Sequence, residues 1–250
     1  MMVFMAKQTP VPPLRRVQNW TLTGAAGDDT YEFQDDWGND SVVELADEGE
    51  DTLDFSAVTE DLTFTLAADG RVSVTDGTNT INDVADVENF IGGSGENTLV
   101  GPGVDITWYL TGDNEVFFNG VTFSAITDLT GSAAGDDTFI VWDEVTWSGT
   151  IDGGGGGADT LDLTPISDDL IFTIKQDNSV SVKTDPGIWS DLGIIPDEVL
   201  SLVSLFTDSV DIAEVKNVDK LVGGTADNTF TFKDQTTFVG TIDGGTSGRR

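Results

Sequence analysis

Apolar and polar residues alternate along most of the chain from about residue 20 onward. Four runs place an apolar side chain at every second position: residues 62–66, 71–75, 171–174 and 179–183. A period of two is typical of β-strands that bury one face. The pair Asp69-Gly70 separates the first two runs and predicts a hairpin, which we interpret as an antiparallel excursion from an otherwise parallel stack.

The alternating pattern occurs twice along the chain, with a constant sequence offset that aligns Asp28 with Asp136. Residues 28–75 align with residues 136–183 without a gap, and 17 of the 48 positions are identical. Repetition of this kind predicts that similar units stack on one another instead of forming one closed globule. We therefore expect an all-β fold, a parallel β-solenoid or β-roll-like stack of tandem modules.

Glycine-rich segments divide this stack into modules. Four related segments begin at Leu22, Phe90, Leu129 and Leu221, and the interval from the second to the fourth exceeds the offset of the repeat. This excess indicates an insertion in the second module. The predicted organisation is an extended N-terminal arm at residues 1–19, a first module at 20–128, a second module at 129–220 with the insertion at about 185–209, and a partial third module at 221–250.

The insertion differs in composition from the rest of the chain. Pro196 is followed by two acidic residues and then by apolar ones. Proline in a first turn and acids near an N-terminus favour a short helix. The β-branched Val199 leaves a strand open as the alternative, so we expect a short helical or irregular insertion.

Aromatic residues recur at matching positions of the repeat. We expect the following to lie in the interior: Tyr31, Phe33, Phe64, Phe139, Phe172, Phe230 and Phe232. Trp142 and Trp147 are less regular, and the alternative to a core role is that these two form a sugar-binding face.

The charge balance restricts the partners and cofactors. The chain has 45 acidic and 11 basic residues, a net charge of −34, and neither cysteine nor histidine. Such self-repulsion favours binding of counter-ions, whereas nucleic acid and anionic membranes are unsuitable partners. No apolar run is long enough for membrane insertion. Oxygen atoms are the remaining metal ligands, and these suit calcium best.

Residues 92–100 fit a nine-residue β-helix pattern of two glycines, a third glycine, an acidic or amide residue and an apolar residue. Together with residues 27–33, 116–129 and 149–154, this segment resembles the haemolysin-type (repeats-in-toxin) calcium-binding repeats, and more closely the modules of large bacterial surface proteins and adhesins. The resemblance covers about residues 20–245. It implies a β-roll or β-solenoid, calcium in the turns, and an extracellular location on a bacterial cell surface.

Matching positions in the resemblance give the candidate calcium ligands. The leading ones are four pairs: Asp28 and Asp29, Glu96 and Asn97, Asp136 and Asp137, and Asp227 and Asn228. Repeated placement adds Asp51, Asp54, Asp152, Asp159, Asp162 and Asp243. The alternative is that these side chains only cap turns, because Asp and Asn readily bond to nearby backbone groups.

These features predict an extracellular, calcium-stabilised structural repeat protein. Residues 238–245 echo residues 147–154 and the chain then stops, so we expect head-to-tail self-association into a surface fibre or matrix filament. One alternative is an adhesin fragment that binds a surface glycan or receptor, and a second is a polysaccharide-active enzyme on a β-solenoid. We expect no catalysis, because the aspartate pairs recur and none stands apart from the repeat.

Overall fold

The computed structural model describes residues 3–5, 19–46, 49–185, 210–233 and 236–246. These residues form 23 β-strands and no helix, so the all-β prediction is confirmed for the part of the chain that is described. In that part, no helix of the length and hydropathy needed to span a membrane is found. The proline-rich stretch at 6–18 and the insertion at 186–209 lie outside the described residues, as does the predicted helix.

The strands are short and follow one another closely. The first twelve are β1 (Val3–Met5), β2 (Thr21–Thr23), β3 (Thr30–Gln34), β4 (Asn39–Val43), β5 (Thr52–Ala57), β6 (Leu62–Leu66), β7 (Val72–Thr75), β8 (Thr80–Val84), β9 (Asn89–Ile91), β10 (Asn97–Val100), β11 (Thr107–Gly112) and β12 (Glu115–Phe118). The others are β13 (Val121–Ser124), β14 (Asp128–Thr130), β15 (Thr138–Val141), β16 (Thr146–Asp152), β17 (Thr160–Asp162), β18 (Leu170–Ile174), β19 (Val180–Thr184), β20 (Asp211–Lys216), β21 (Lys220–Val222), β22 (Asn228–Phe232) and β23 (Thr241–Asp243).

The chain divides into two compact units. Unit 1 comprises residues 1–103 and 115–130, and unit 2 comprises residues 104–114 and 131–250. In unit 1 the strands pair in the orders β1-β3-β5-β9-β13-β12 and β2-β4-β8-β7-β6-β10-β14. In unit 2 the orders are β11-β15-β17-β21-β23 and β16-β20-β19-β18-β22.

Most of these pairs are parallel. Among the antiparallel exceptions, the pair β12 and β13 is not predicted by the sequence, whereas the hairpin at Asp69-Gly70 is. Strands β6 and β7 form an antiparallel hairpin, and Gly70 in its turn has a φ of 90°. Strands β18 and β19 form the corresponding hairpin of unit 2, with Asn178 at a φ of 67°. Positive φ suits Gly and Asn, which explains the turn residues. The predicted antiparallel excursion is therefore confirmed.

Strand positions follow the spacing of the sequence. Strands β5, β6 and β7 precede β17, β18 and β19 by the same interval that separates Asp28 from Asp136. Strands β8, β9 and β10 precede β20, β21 and β22 by the longer interval that separates Phe90 from Leu221. The spacing changes between β19 and β20, which is the place where the sequence predicts an insertion.

Alternation along the strands puts aromatic rings into the interior of each unit. In unit 1, Phe33 stacks on Phe55 with ring centroids 4.6 Å apart, and Phe90 stacks on Phe123 at 5.2 Å. The predicted interior position is confirmed for five fully buried side chains: Tyr31, Phe33, Phe64, Phe139 and Phe172.

One aromatic prediction is wrong, and the structure excludes one alternative. Phe232 is 48% exposed, because β22 is the last strand of its pairing order in unit 2 and no further described strand covers it. Trp147 is 1% exposed on β16, so it cannot form a sugar-binding face with the exposed Trp142. Trp147 instead fills the core of unit 2, as its alternating position on β16 dictates.

Asp40 is a buried acid in the interior of unit 1. Its side chain is 3% exposed, Oδ1 accepts a hydrogen bond from the backbone N–H of Trp20, and Oδ2 has no partner. Burial raises the pKa of Asp40, because the charged form loses its hydration. The carboxylate therefore destabilises the fold as the pH rises above the usual aspartate pKa near 4.

We predict that Asp40→Asn stabilises the protein by about 1 kcal/mol near pH 7, because a neutral amide costs less to bury than a carboxylate. Below about pH 4 the gain disappears, since Asp40 is then protonated in both states. Urea unfolding of the variant and of the wild type at the two pH values measures the difference. Glu32→Gln on β3 is the control, and an equal gain from it would contradict the explanation.

Candidate metal site

Parallel pairing brings two acidic turns of unit 1 side by side. Asp29 directly precedes β3 and Asp51 directly precedes β5, and Thr30 pairs with Thr52 in the register of these strands. The backbone N–H of Asp29 donates to Oδ1 of Asp51 over 2.9 Å. The sequence repeat therefore stacks like charges at the same turn position.

Glu44, which directly follows β4, adds a third carboxylate to these two. Its carboxylate lies against Gly24, which follows β2 and whose backbone N–H donates to it. A Cβ on Gly24 would lie 2.7 Å from Cδ of Glu44, so only glycine leaves room for the carboxylate. The hydroxyl of Tyr31 donates to Oε1 of Glu44 from the core side.

The three acids form a compact buried cluster, which we name the triad: Asp29, Glu44 and Asp51. One carboxylate oxygen from each lies within 4.8 Å of the others. The side chains are only 5%, 9% and 2% exposed. No other described residues form such a cluster, and none of the salt bridges between described residues reaches it.

Burial dominates the electrostatics of the triad. It raises the pKa of Glu44, and the charges of Asp51 and Asp29 raise it further, against the opposing hydrogen bonds from Tyr31 and Gly24. Burial also raises the pKa of Tyr31, and its bond to Glu44 adds to the effect, so the phenol remains a donor. Buried carboxylates at this density require either protons or a cation.

The donor chemistry of the triad fits a hard divalent cation. It offers only oxygen atoms, which suit calcium or magnesium and not the metals that prefer sulfur or imidazole. The backbone N–H of Ala25 donates to Oδ2 of Asp29, and the backbone N–H of Asp29 donates to Oδ1 of Asp51. The other carboxylate oxygen of each aspartate takes no part in these two bonds and is the candidate ligand.

Unit 2 repeats the aspartate pair, but among its described residues no third carboxylate completes a cluster like the triad. The backbone N–H of Asp137 donates to Oδ1 of Asp159 over 2.8 Å, as in unit 1. Asp152, the counterpart of Glu44, instead accepts bonds from Gly154 and Asn217. Position 139, the counterpart of Tyr31, is a phenylalanine without a hydroxyl.

The pKa of Asp159 shows how unit 2 tolerates two neighbouring buried aspartates. Burial raises the pKa of Asp159 to about 6, and the charges of Asp137 and Asp219 contribute to the rise. Burial also raises the pKa of Asp137. A proton on Asp159 therefore relieves the repulsion in unit 2 under mildly acidic conditions.

Two of the predicted ligands are amides that bond to the backbone. Oδ1 of Asn97 accepts from Gly93, and its Nδ2 donates to backbone carbonyls. Asn228 makes the same set of contacts with Gly224 and later residues. Both side chains close their turns directly.

The other predicted ligands lie at the surface or half-buried in turns and strand ends. Five of them accept backbone N–H groups at 2.8–3.2 Å: Asp28, Asp54, Asp136, Asp162 and Asp243. Glu96 and Asp227 are exposed, and their backbone N–H groups donate to Asp61 and Asp169. Capping accounts for these contacts, and metal binding at these residues stays a prediction.

Glu44 is the residue that sequence reasoning missed. It belongs to none of the glycine-rich segments, so the repeat motif gives it no weight. A signal was present, because Glu44 and Asp152 are both acidic and occupy equivalent positions in the aligned repeat. The topology was needed to show that Glu44 meets Asp29 and Asp51.

Comparison with protein-family models and with curated proteins finds no match to this chain. The resemblance to haemolysin-type repeats therefore depends on the sequence segments alone and stays a prediction. The triad geometry is independent of that resemblance.

We predict that Asp159→Asn stabilises the protein progressively as the pH rises from about 4 to about 7, by about 1–2 kcal/mol in total. The sign follows from the raised pKa, because between about pH 4 and pH 6 the unfolded chain loses a proton that the folded protein keeps, so the wild type loses stability as the pH rises. Asparagine keeps the oxygen that accepts from Asp137. Thermal unfolding across this pH range measures the effect, with Asp162→Asn at the end of β17 as the control. A pH-independent difference would contradict the prediction.

Proposed function

We propose that the chain is a calcium-stabilised structural protein, whose mostly parallel strands follow one another as the stacked coils of a β-solenoid. The parallel pairing and the spacing of the strands support the stack. The triad is the observation that carries the calcium proposal, since three buried carboxylates converge without a basic partner among the described residues.

Calcium suits this site better than magnesium. Calcium accepts six to eight oxygens in flexible geometry, whereas magnesium demands a near-ideal octahedron. The triad oxygens come from three different turns, so their arrangement is irregular. We propose an affinity of roughly 0.1–1 mM, which is typical of extracellular modules. We also propose an extracellular location, and the resemblance implies a bacterial cell surface.

The cation would fasten the two pairing layers of unit 1 to each other. Asp29 and Asp51 precede strands β3 and β5, whereas Glu44 follows β4 in the other layer. One ion held by all three would therefore connect both layers at a single edge. At ten times its dissociation constant it would add about 1.4 kcal/mol of stability.

We predict that Glu44→Gln weakens calcium binding by about tenfold or more, because it removes one of three charges and keeps the size of the side chain. Isothermal titration of the purified chain with calcium chloride, after treatment with chelator, measures the affinity. Asp54→Asn is the matched control, since it removes a nearby charge outside the triad. Equal weakening by both variants would show a diffuse charge effect and contradict the site.

A second variant tests the site without changing its charge. Gly24→Ala places a methyl group where the Glu44 carboxylate lies, so calcium binding should fall while net charge is constant. Gly103→Ala is the control, because a Cβ there meets no atom within 4 Å. Unchanged affinity in Gly24→Ala would contradict an ion site that needs the Glu44 carboxylate in its position beside Gly24.

We propose that copies of the chain associate with one another and that this gives the protein a fibre-forming role. Strand β22 ends its pairing order in unit 2, and Phe232 and Val239 are 48% and 72% exposed. We propose that unit 2 of one copy meets unit 1 of the next, head to tail, through apolar contact of these exposed side chains.

We predict concentration-dependent association in sedimentation velocity runs that persists or strengthens in high salt, because both copies are net negative and salt screens their repulsion. Phe232→Ser should reduce association severalfold, since it removes an exposed aromatic anchor. Trp142→Ser is the control and should leave association unchanged, because Trp142 is exposed but follows β15, which is an internal strand of unit 2. A strictly monomeric wild type at all concentrations would refute the fibre.

A further inference from the structure

The side-chain nitrogen of Asn97 lies among three backbone carbonyls. Its Nδ2 is 2.8 Å from the oxygen of Gly93, 3.2 Å from that of Gly95 and 2.9 Å from that of Ala125. The residue is 1% exposed. An amide nitrogen carries two hydrogens, so three carbonyl oxygens converge on a group that can fully satisfy two of them.

The same arrangement recurs in unit 2. Nδ2 of Asn228 is 3.1 Å from the oxygen of Gly224, 2.9 Å from that of Ala226 and 3.0 Å from that of Gly244. We name these two arrangements the carbonyl cages. Their recurrence shows that the turn itself builds a cage of oxygens around one side-chain atom.

The amides and the triad share one anchoring bond. The side-chain oxygen of Asn97 accepts from the backbone four residues before it, at 3.0 Å, and Asn228 does so at 3.2 Å. Oδ2 of Asp29 accepts from the residue four before it, at 2.9 Å. This bond fixes which atom faces inward, and that atom is a nitrogen in the asparagines and an oxygen in Asp29.

We propose that the amide nitrogens of Asn97 and Asn228 take the place of a divalent cation in turns that would otherwise bind one. Nitrogen hydrogens compensate the carbonyl oxygens directly. An aspartate in the same position would present oxygen to oxygen, and a hard cation such as calcium would relieve that repulsion. The protein thus closes some turns with an ion and others with an amide, depending on whether the inward-facing side-chain atom is oxygen or nitrogen.

This inference deepens the proposed function by restricting ion dependence to the acidic turns. It does not require the triad to bind calcium, because the carbonyl cages are tested by their own variants. In the wild type, removal of calcium should leave hydrogen exchange unchanged in residues 93–99 and 224–230. Exchange in residues 25–31 should rise if the triad holds the ion.

The test is Asn97→Asp, with melting temperature measured in calcium chloride and in chelator. We expect the melting temperature in chelator to fall by about 5 °C, and calcium to restore it to within about 1 °C of the wild type. Asn82→Asp makes the same charge change at an exposed site and should respond to calcium as the wild type does. Asn228→Asp, at a less buried cage, provides the same measurement if Asn97→Asp does not fold.

A loss of stability that calcium does not reverse in either variant would overturn the proposal. Absence of any loss in chelator would overturn it as well, because the cage would then tolerate an oxygen unaided. A wild type indifferent to calcium would refute the triad proposal alone. The difference between each variant and the wild type still decides the role of the amides.

Discussion

Parallel pairing of short strands places the same turn position of successive strands side by side, and the backbone there must find hydrogen-bond acceptors. A neighbouring acid supplies them, as when the N–H of Asp29 bonds to Asp51 and that of Asp51 bonds to Glu88. Buried N–H groups are rarely left without partners, so the acids at these positions have a structural role as hydrogen-bond acceptors, whether or not they bind a metal. Their accumulation creates the negative charge that the rest of the fold must compensate.

The chain compensates this charge in different ways at equivalent turns. In unit 2, the raised pKa of Asp159 indicates that this carboxylate binds a proton in mildly acidic solution, which removes one negative charge. At Asn97 and Asn228 an amide replaces the acid altogether. Only in unit 1, among the described residues, do three carboxylates converge, and there Tyr31 and Gly24 hold the third one in place. The calcium proposal concerns that turn because neither a basic side chain nor an amide relieves it.

Local patterns predicted the strands well because alternation and turn chemistry act over a few residues. The hairpin at Asp69-Gly70 and the buried rings follow from such patterns. The exposure of Phe232 depends on which strand is last in its pairing order, and no local pattern encodes that order. Glu44 joins the triad only through the topology, and a motif that weighs glycine and aspartate gives it no prominence.

Anomalous scattering from crystals grown with calcium tests the central claim most directly. The account predicts a calcium peak between Asp29, Glu44 and Asp51, within about 2.3–2.6 Å of an oxygen from each. It predicts no peak in the turns closed by the asparagine amides. A triad without a peak, with its carboxyl groups hydrogen-bonded to one another, would contradict it.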